Sequence, residues 1–197
     1  MDDSLKRFRS FAKLVRIFLN ISFWICIIGV MILIFCKIAL LFISNDTIIT
    51  ELGISIPFKL SYDNIVQYNI TNDVSIGDIE PILNLIILIG IIYLIVFCII
   101  VKQLTVILKS VEKGNPFNEN NSLKLKVIGT TLIIASLITP ICDMLLAIKV
   151  IQFLNINIDS FNYSINLTML FSGLLILLLS GVFRYGSKLQ EEYDLTI

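Results

Sequence analysis

Asp143 is the residue whose chemistry most needs explaining. It is an acid inside a long apolar run, three residues after Thr139-Pro140. An ionisable group at such a place is costly unless it is paired or reached by water. Two readings follow. Asp143 is a proton- or cation-responsive group, or it is a structural tie near the membrane boundary. Measured along a helix, Lys37 lies about 31 Å from Arg16 and Asp143 about 25 Å from Lys126, which sets both near the outer boundary. A Lys37–Asp143 contact is one candidate pairing. An Asp143–Lys149 contact is the other, awkward at six residues' separation without a kink at Pro140.

Other reactive types are sparse. There is no His, which removes the commonest general base and the commonest metal ligand. The cysteines are Cys26, Cys36, Cys98 and Cys142, all inside apolar runs and none in a CxxC pair. They read as small buried hydrophobes. Cys36 and Cys142 fall at similar depth near the outer face, which leaves a disulfide between them open. No nucleophile–base pair, phosphate loop or metal-ligand cluster is evident in the sequence. The expectation is therefore no catalytic residue, no cofactor, no metal and no enzyme.

The elements that position these residues are long apolar runs. The chain is 57% hydrophobic and 15% charged, where a soluble domain carries roughly a quarter charged residues. A span needs about 20 apolar residues. Four runs qualify, over residues 17–43, 82–101, 127–148 and 165–183. The first is too long for a signal-peptide core and no small-x-small cleavage site follows it. Bulky Phe35 before Cys36 argues against lipoprotein processing. The expectation is a single integral-membrane domain over residues 1–197: an all-α, four-transmembrane-helix bundle with a small extracytoplasmic β-hairpin lid.

Orientation follows from the basic residues. Lys6, Arg7, Arg9, Lys13 and Arg16 lie in the amino-terminal tail (residues 1–16). Lys102, Lys109, Lys113, Lys124 and Lys126 lie in the middle connection (residues 102–126). Arg184 and Lys188 lie in the carboxyl tail (residues 184–197), which leaves Lys37, Lys59 and Lys149 for the opposite side. The outer loop (residues 44–81) is acidic, with Asp46, Glu51, Asp63, Asp73, Asp78 and Glu80. Both termini are expected in the cytoplasm. Abundant Ile, Asn and Lys suggest an AT-rich bacterial genome. Balanced charge, fifteen Lys+Arg against fifteen Asp+Glu, predicts no direct nucleic-acid contact. The expected surroundings are the lipid bilayer of a bacterial inner membrane; the oligomeric state stays open.

Residues 5–16 carry a helical pattern with Leu5, Phe8, Phe11, Ala12 and Val15 on one face and Lys6, Arg9, Lys13 and Arg16 on the other. A basic amphipathic helix of this kind lies in the headgroup layer and docks anionic lipid or an acidic partner, or it is an ordinary orientation signal flanking the first span. In the outer loop, Ile54, Ile56, Phe58, Leu60 and Tyr62 alternate with polar residues. Asp63-Asn64 supplies turn chemistry, and Val66, Tyr68 and Ile70 alternate again, which predicts a hairpin. Residues 155–159 alternate in the same way and could add a strand. Leu104, Ile107, Leu108 and Val111 form an apolar stripe on the helix that leaves the second span. Gly114 is a natural helix stop and Pro116 bars resumption. Residues 118–122 offer caps for the next helix. Phe117 is expected to pack back on the bundle or the membrane. Glu191, Glu192 and Asp194 stand at a helix carboxyl end that is already negative. Docking of the two tails, with Lys6, Arg9 or Lys13 near Glu191 and Glu192, would offset that.

Gly114-Asn115-Pro116-Phe117, followed by Leu123 and Ile128-Gly129, resembles a glycine-x-proline-phenylalanine signature. Phe183-Arg184-Tyr185-Gly186, then Leu189-Gln190-Glu191-Glu192 and Asp194-Leu195-Thr196, resembles the closing signature of the four-span bacterial family catalogued as domain of unknown function 2975. The resemblance covers nearly the whole chain. It implies an inner-membrane protein with no established chemistry, whose genes often neighbour small helix-turn-helix regulators. The function expected from it is a sensor or regulatory partner of such a regulator, with Phe117, Arg184, Tyr185, Gln190, Glu191 and Glu192 as candidate contacts. A small transport or immunity protein that protects the envelope is the alternative, with Lys37 and Asp143 central.

Overall fold

The computed structural model describes the backbone of residues 2–42, 48–49, 55–61, 64–69, 74–154 and 164–195, and the side chains of residues 7, 9–42, 80–153 and 164–193. The expected strand at residues 155–159 lies outside the described residues, as does Asp63 of the expected turn. Four helices dominate among the described residues: α1 (Asp2–Leu40), α2 (Ile76–Glu112), α3 (Glu119–Leu154) and α4 (Leu167–Leu195). Each is long and apolar enough to cross a membrane. Among the described residues between α1 and α2 the backbone forms the short strands β1 (Ile48–Ile49), β2 (Ser55–Ser61), β3 (Asn64–Asn69) and β4 (Val74–Ser75). The backbone of β1 pairs antiparallel with β4, and that of β2 antiparallel with β3.

The surface identifies the solvent. The most apolar window of α1 is only 6% buried inside the protein, and Phe35, Leu175 and Leu178 are among many large apolar side chains left exposed. Water would not tolerate apolar faces of that extent. Lipid does, and four such helices make a multi-pass membrane protein. Both basic and apolar parts of the amino-terminal region belong to α1. The amphipathic segment flanks the first span and is continuous with it in one helix, because no Gly or Pro interrupts residues 2–28.

The helices group into two compact units. One unit comprises Met1–Gly29, Leu94–Ser136 and Leu167–Ile197. Its core holds Ile107, Leu125 and Ile128, against which Ile100, Leu104, Val111, Leu132, Ile176 and Phe183 pack. The seam between α3 and α4 is built from small residues at seven-residue spacing: Ser122, Gly129 and Ser136 on α3, and Gly173, Ser180 and Ser187 on α4, all buried. The two helices run in opposite senses there. Ser122 Oγ donates to the Ser180 carbonyl at 2.8 Å, and Ser180 Oγ donates to the Ser122 carbonyl at 2.9 Å. One seven-residue step along, Gly129 meets Gly173. A Cβ on either glycine would stand 2.9 Å from the other's carbonyl oxygen, so the backbones themselves touch. Small residues permit such approach in lipid, where no hydrophobic force draws helices together, and serine hydroxyls add interhelical hydrogen bonds.

The other unit comprises Val30–Tyr93 and Leu137–Asn166. Ile82, Ile87, Ile89, Cys142, Ala147, Val150 and Ile151 are buried within its helices. α3 continues as one helix through Pro140, although proline removes a backbone donor.

The break between α2 and α3 obeys local rules. Gly114 adopts φ 81°, the left-handed region that only glycine enters cheaply. Asn115 N donates to the Ser110 carbonyl at 3.2 Å and Gly114 N to the Val111 carbonyl at 3.0 Å, which is the Schellman closure of a helix. Asn118 then caps α3, its Oδ1 accepting from Asn121 N at 2.8 Å. Asn118→Ala should lower the stability of the detergent-solubilised protein by about 1 kcal/mol, read as a fall in thermal midpoint. No fall would mean that this cap is dispensable.

Candidate functional site

The elbow is where distant parts of the sequence meet. Asn118 Nδ2 donates to Ser110 Oγ at 2.6 Å and to the Asn115 carbonyl at 3.2 Å. Ser110 Oγ donates to the same carbonyl at 2.5 Å. Asn121, 1% exposed, donates from Nδ2 to the Pro116 carbonyl at 2.8 Å. These bonds tie Ser110, Asn115, Pro116, Asn118 and Asn121 to one another across the turn. The Asn121 Oδ1 atom is buried without a partner.

Two contacts tie α1 to this turn. The Arg9 guanidinium lies over Gly114, so that a Cβ there would come within 2.5 Å of an Arg9 terminal nitrogen. Arg16 Nε approaches Glu112 Oε2 to 2.9 Å. Its N–H is not aimed well enough for a directed hydrogen bond, so the contact is an ion pair. Both side chains keep about a third of their surface exposed, 31% and 27%, and such pairs contribute at most about 1 kcal/mol. Arg9, one of the residues expected beside Glu191 and Glu192, is thus placed against the elbow.

α4 closes the junction. The Phe117 ring packs 5.1 Å from the Phe183 ring at 42°. It also covers Gly186, where a Cβ would come 3.1 Å from the Phe117 ring. Phe117 packs back on the helices as expected, while 44% of it stays exposed. Beside it on α4, Arg184, Tyr185, Gln190, Glu191 and Glu192 are all exposed. Tyr185, Leu189 and Glu192 follow one helical strip, and Arg184, Lys188 and Glu191 the next. Gln190 follows Phe183 and Gly186 on the side of α4 that meets Phe117, whereas Arg184, Tyr185, Glu191 and Glu192 lie on other sides of the helix.

The intramembrane acid has a different partner from those anticipated. Tyr93 Oη donates to Asp143 Oδ1 at 3.2 Å. Among the described residues no ion pair joins Asp143 to Lys37 or Lys149. Asp143 and Lys37 are both exposed on their helices. A neutral phenol satisfies one carboxylate oxygen without bringing a second charge into an apolar layer. The Thr139 hydroxyl, one turn earlier on α3, is buried with no partner.

The cysteines are all free. The register of α1 against α2, fixed where Gly29 meets Leu94 and Gly90 meets Leu33, sets Cys26 opposite Cys98. Among the described residues no cluster of three metal-ligating side chains occurs.

Sequence reading missed the Arg9, Arg16 and Tyr93 contacts, the serine clasp and the cysteine pair. Only the clasp left a signal in the chain: small residues recurring every seven positions in both α3 and α4.

A family model described as "Protein of unknown function (DUF2975)" matches residues 11–197. No curated protein and no solved structure matches the chain.

Proposed function

The chain belongs to the family described as Protein of unknown function (DUF2975), and from that membership we propose that it is a non-enzymatic bacterial inner-membrane sensor or regulatory partner. Both termini face the cytoplasm in this reading, as the distribution of Lys and Arg favours. The cytoplasmic junction binds a small helix-turn-helix regulator of the kind expected from the family resemblance. The observation that carries the proposal is the elbow. α1 reaches it through Arg9, α2 through Glu112, α3 through Asn121 and α4 through Phe183 and Gly186. A shift of any helix would therefore move Phe117 and the end of α4 that carries Arg184, Tyr185, Gln190, Glu191 and Glu192.

The signal enters from the other side. In this proposal the segment between α1 and α2 supplies the extracytoplasmic lid, supported by the backbone pairing of β2 with β3; the expected loop end at residue 81 moves back to α2, which begins at Ile76. An isolated two-stranded hairpin is marginal in water, so a ligand or membrane change that stabilises the lid would bias the helices that carry it.

Co-purification from native membranes tests the regulator. The full chain should retain a small DNA-binding protein, and a version lacking residues 188–197 should lose it while remaining monodisperse. Equal recovery with both versions would refute the assignment of this junction.

A second reading, a small transport or immunity protein, is favoured by the Tyr93–Asp143 contact. On that reading Asp143→Asn should abolish flux or resistance with little change in thermal midpoint. Full activity in that variant would exclude it.

A further inference from the structure

Cys26 and Cys98 are the most deeply placed reactive pair among the described residues. Each lies within about 3 Å, along its helix axis, of the middle of its apolar segment, Arg9–Leu40 for one and Glu80–Glu112 for the other. Cys26 is 6% exposed and Cys98 is half-buried. A Cβ on Gly29 would stand 3.4 Å from a Leu94 methyl, and one on Gly90 3.1 Å from a Leu33 methyl. These two meetings fix the antiparallel register of α1 and α2, and that register sets Cys26 opposite Cys98. The Gly29–Leu94 meeting, one turn away, keeps the helices close at this level.

The surroundings select the chemistry. Thiol oxidation in water runs through the thiolate, and an unpaired anion is expensive in a hydrocarbon layer. Water-borne oxidants and disulfide exchange are therefore poorly suited to this site. Hydrogen-atom transfer separates no charge and has no such penalty. We propose that Cys26 and Cys98 form a redox site that lipid peroxyl radicals oxidise to an intramolecular disulfide, stapling α1 to α2. One peroxyl radical takes the hydrogen atom from one S–H bond, and a second radical takes the hydrogen atom from the other. Two O–H bonds form, giving two lipid hydroperoxides, and the two thiyl radicals couple into one S–S bond. The half-buried Cys98 meets the first radical and the less exposed Cys26 the second. The staple would lock together the helix that bears Arg9 and Arg16 and the helix that ends at Glu112, so membrane oxidation would be written into the elbow. The chemistry itself does not depend on the regulator assignment.

The experiment uses the full chain in phospholipid vesicles with polyunsaturated acyl chains. A lipid-soluble azo initiator generates peroxyl radicals in the bilayer, and hydrogen peroxide serves as the aqueous comparison. Peptide mass mapping of the unsubstituted chain should find a Cys26–Cys98 linked peptide, two hydrogens lighter than the separate thiols and released by dithiothreitol. In a Cys36→Ser/Cys142→Ser background, both remaining thiols should lose maleimide reactivity together in the monomer, and Cys98→Ala should leave Cys26 reactive. Survival of both thiols under lipid-phase radicals would overturn the proposal. Irreversible oxidation of either residue alone, or equally fast linkage by aqueous peroxide, would overturn it too.

Discussion

Gly129→Ala is expected to destabilise the protein, whereas Gly181→Ala is expected to stabilise it. Both glycines lie inside long helices, and in a helix interior alanine is favoured over glycine by about 1 kcal/mol. At Gly181 nothing lies within 4 Å of an added Cβ, so only that gain is felt. At Gly129 the same atom would stand 2.9 Å from the Gly173 carbonyl oxygen and 2.8 Å from Leu177. Leu177 can rotate, but the backbone oxygen cannot yield without moving α4. Forcing extra volume into a packed seam costs about 1–3 kcal/mol, which outweighs the propensity gain. Separation of the helices would also stretch the Ser122–Ser180 hydrogen bonds one seven-residue step away. Gly129→Val should exaggerate the loss. Thermal midpoints in one detergent measure the contrast. A gain at both positions would mean that the α3 and α4 backbones do not touch.

The second large effect concerns the elbow. Gly114→Ala places a side chain at φ 81°, where the left-handed backbone costs an L-residue about 1–2 kcal/mol. It also displaces the Arg9 guanidinium from the position it holds over the glycine. The arginine is flexible, so it swings away and its contact with the elbow is lost. The two contributions separate in a double-mutant cycle. With Arg9→Ala already present, Gly114→Ala should cost only the backbone strain. With Arg9 intact it should cost more, and tryptic cleavage at Arg9 should accelerate. An identical cost in both backgrounds would show that Arg9 does not rest on Gly114. If the elbow is also the regulator-binding surface, Gly114→Ala should weaken co-purification while Gly181→Ala leaves it unchanged.

The elbow shows how far the sequence reaches. Gly114 as the stop of α2, Pro116 as a barrier and Asn118 among the caps of α3 were all legible, because each acts on backbone groups within a few residues of itself. The packing-back of Phe117 was legible for a similar reason: a large ring beside a proline turn cannot point far from the helices that flank it. What α1 does at the same place was not. Arg9 is separated from Gly114 by more than one hundred positions, and nothing about a lone arginine says whether its partner is an acid or a peptide plane. The charges of Glu191 and Glu192 made them the natural guess, since charge is the only partner signal that composition carries.

Asp143 gives the same lesson inside the membrane. Lys37 and Lys149 were chosen for it by charge, yet its hydrogen-bond donor is the phenol of Tyr93. In a soluble helix, an alternation of apolar and polar residues tells which face is inward. These spans are apolar on every face, so that periodicity is missing and rotation about the helix axis is not written in hydropathy. Small residues are the one inward signal that survives in lipid, and they mark the α3–α4 seam. The number of helices, their approximate limits, the membrane as their solvent and the local closure of the elbow were therefore determined by the sequence alone. Register and rotation, and with them the Tyr93–Asp143 and Arg9–Gly114 meetings and the placing of Cys26 opposite Cys98, were decided only when the helices packed, because they depend on which faces touch and not on which residues are apolar.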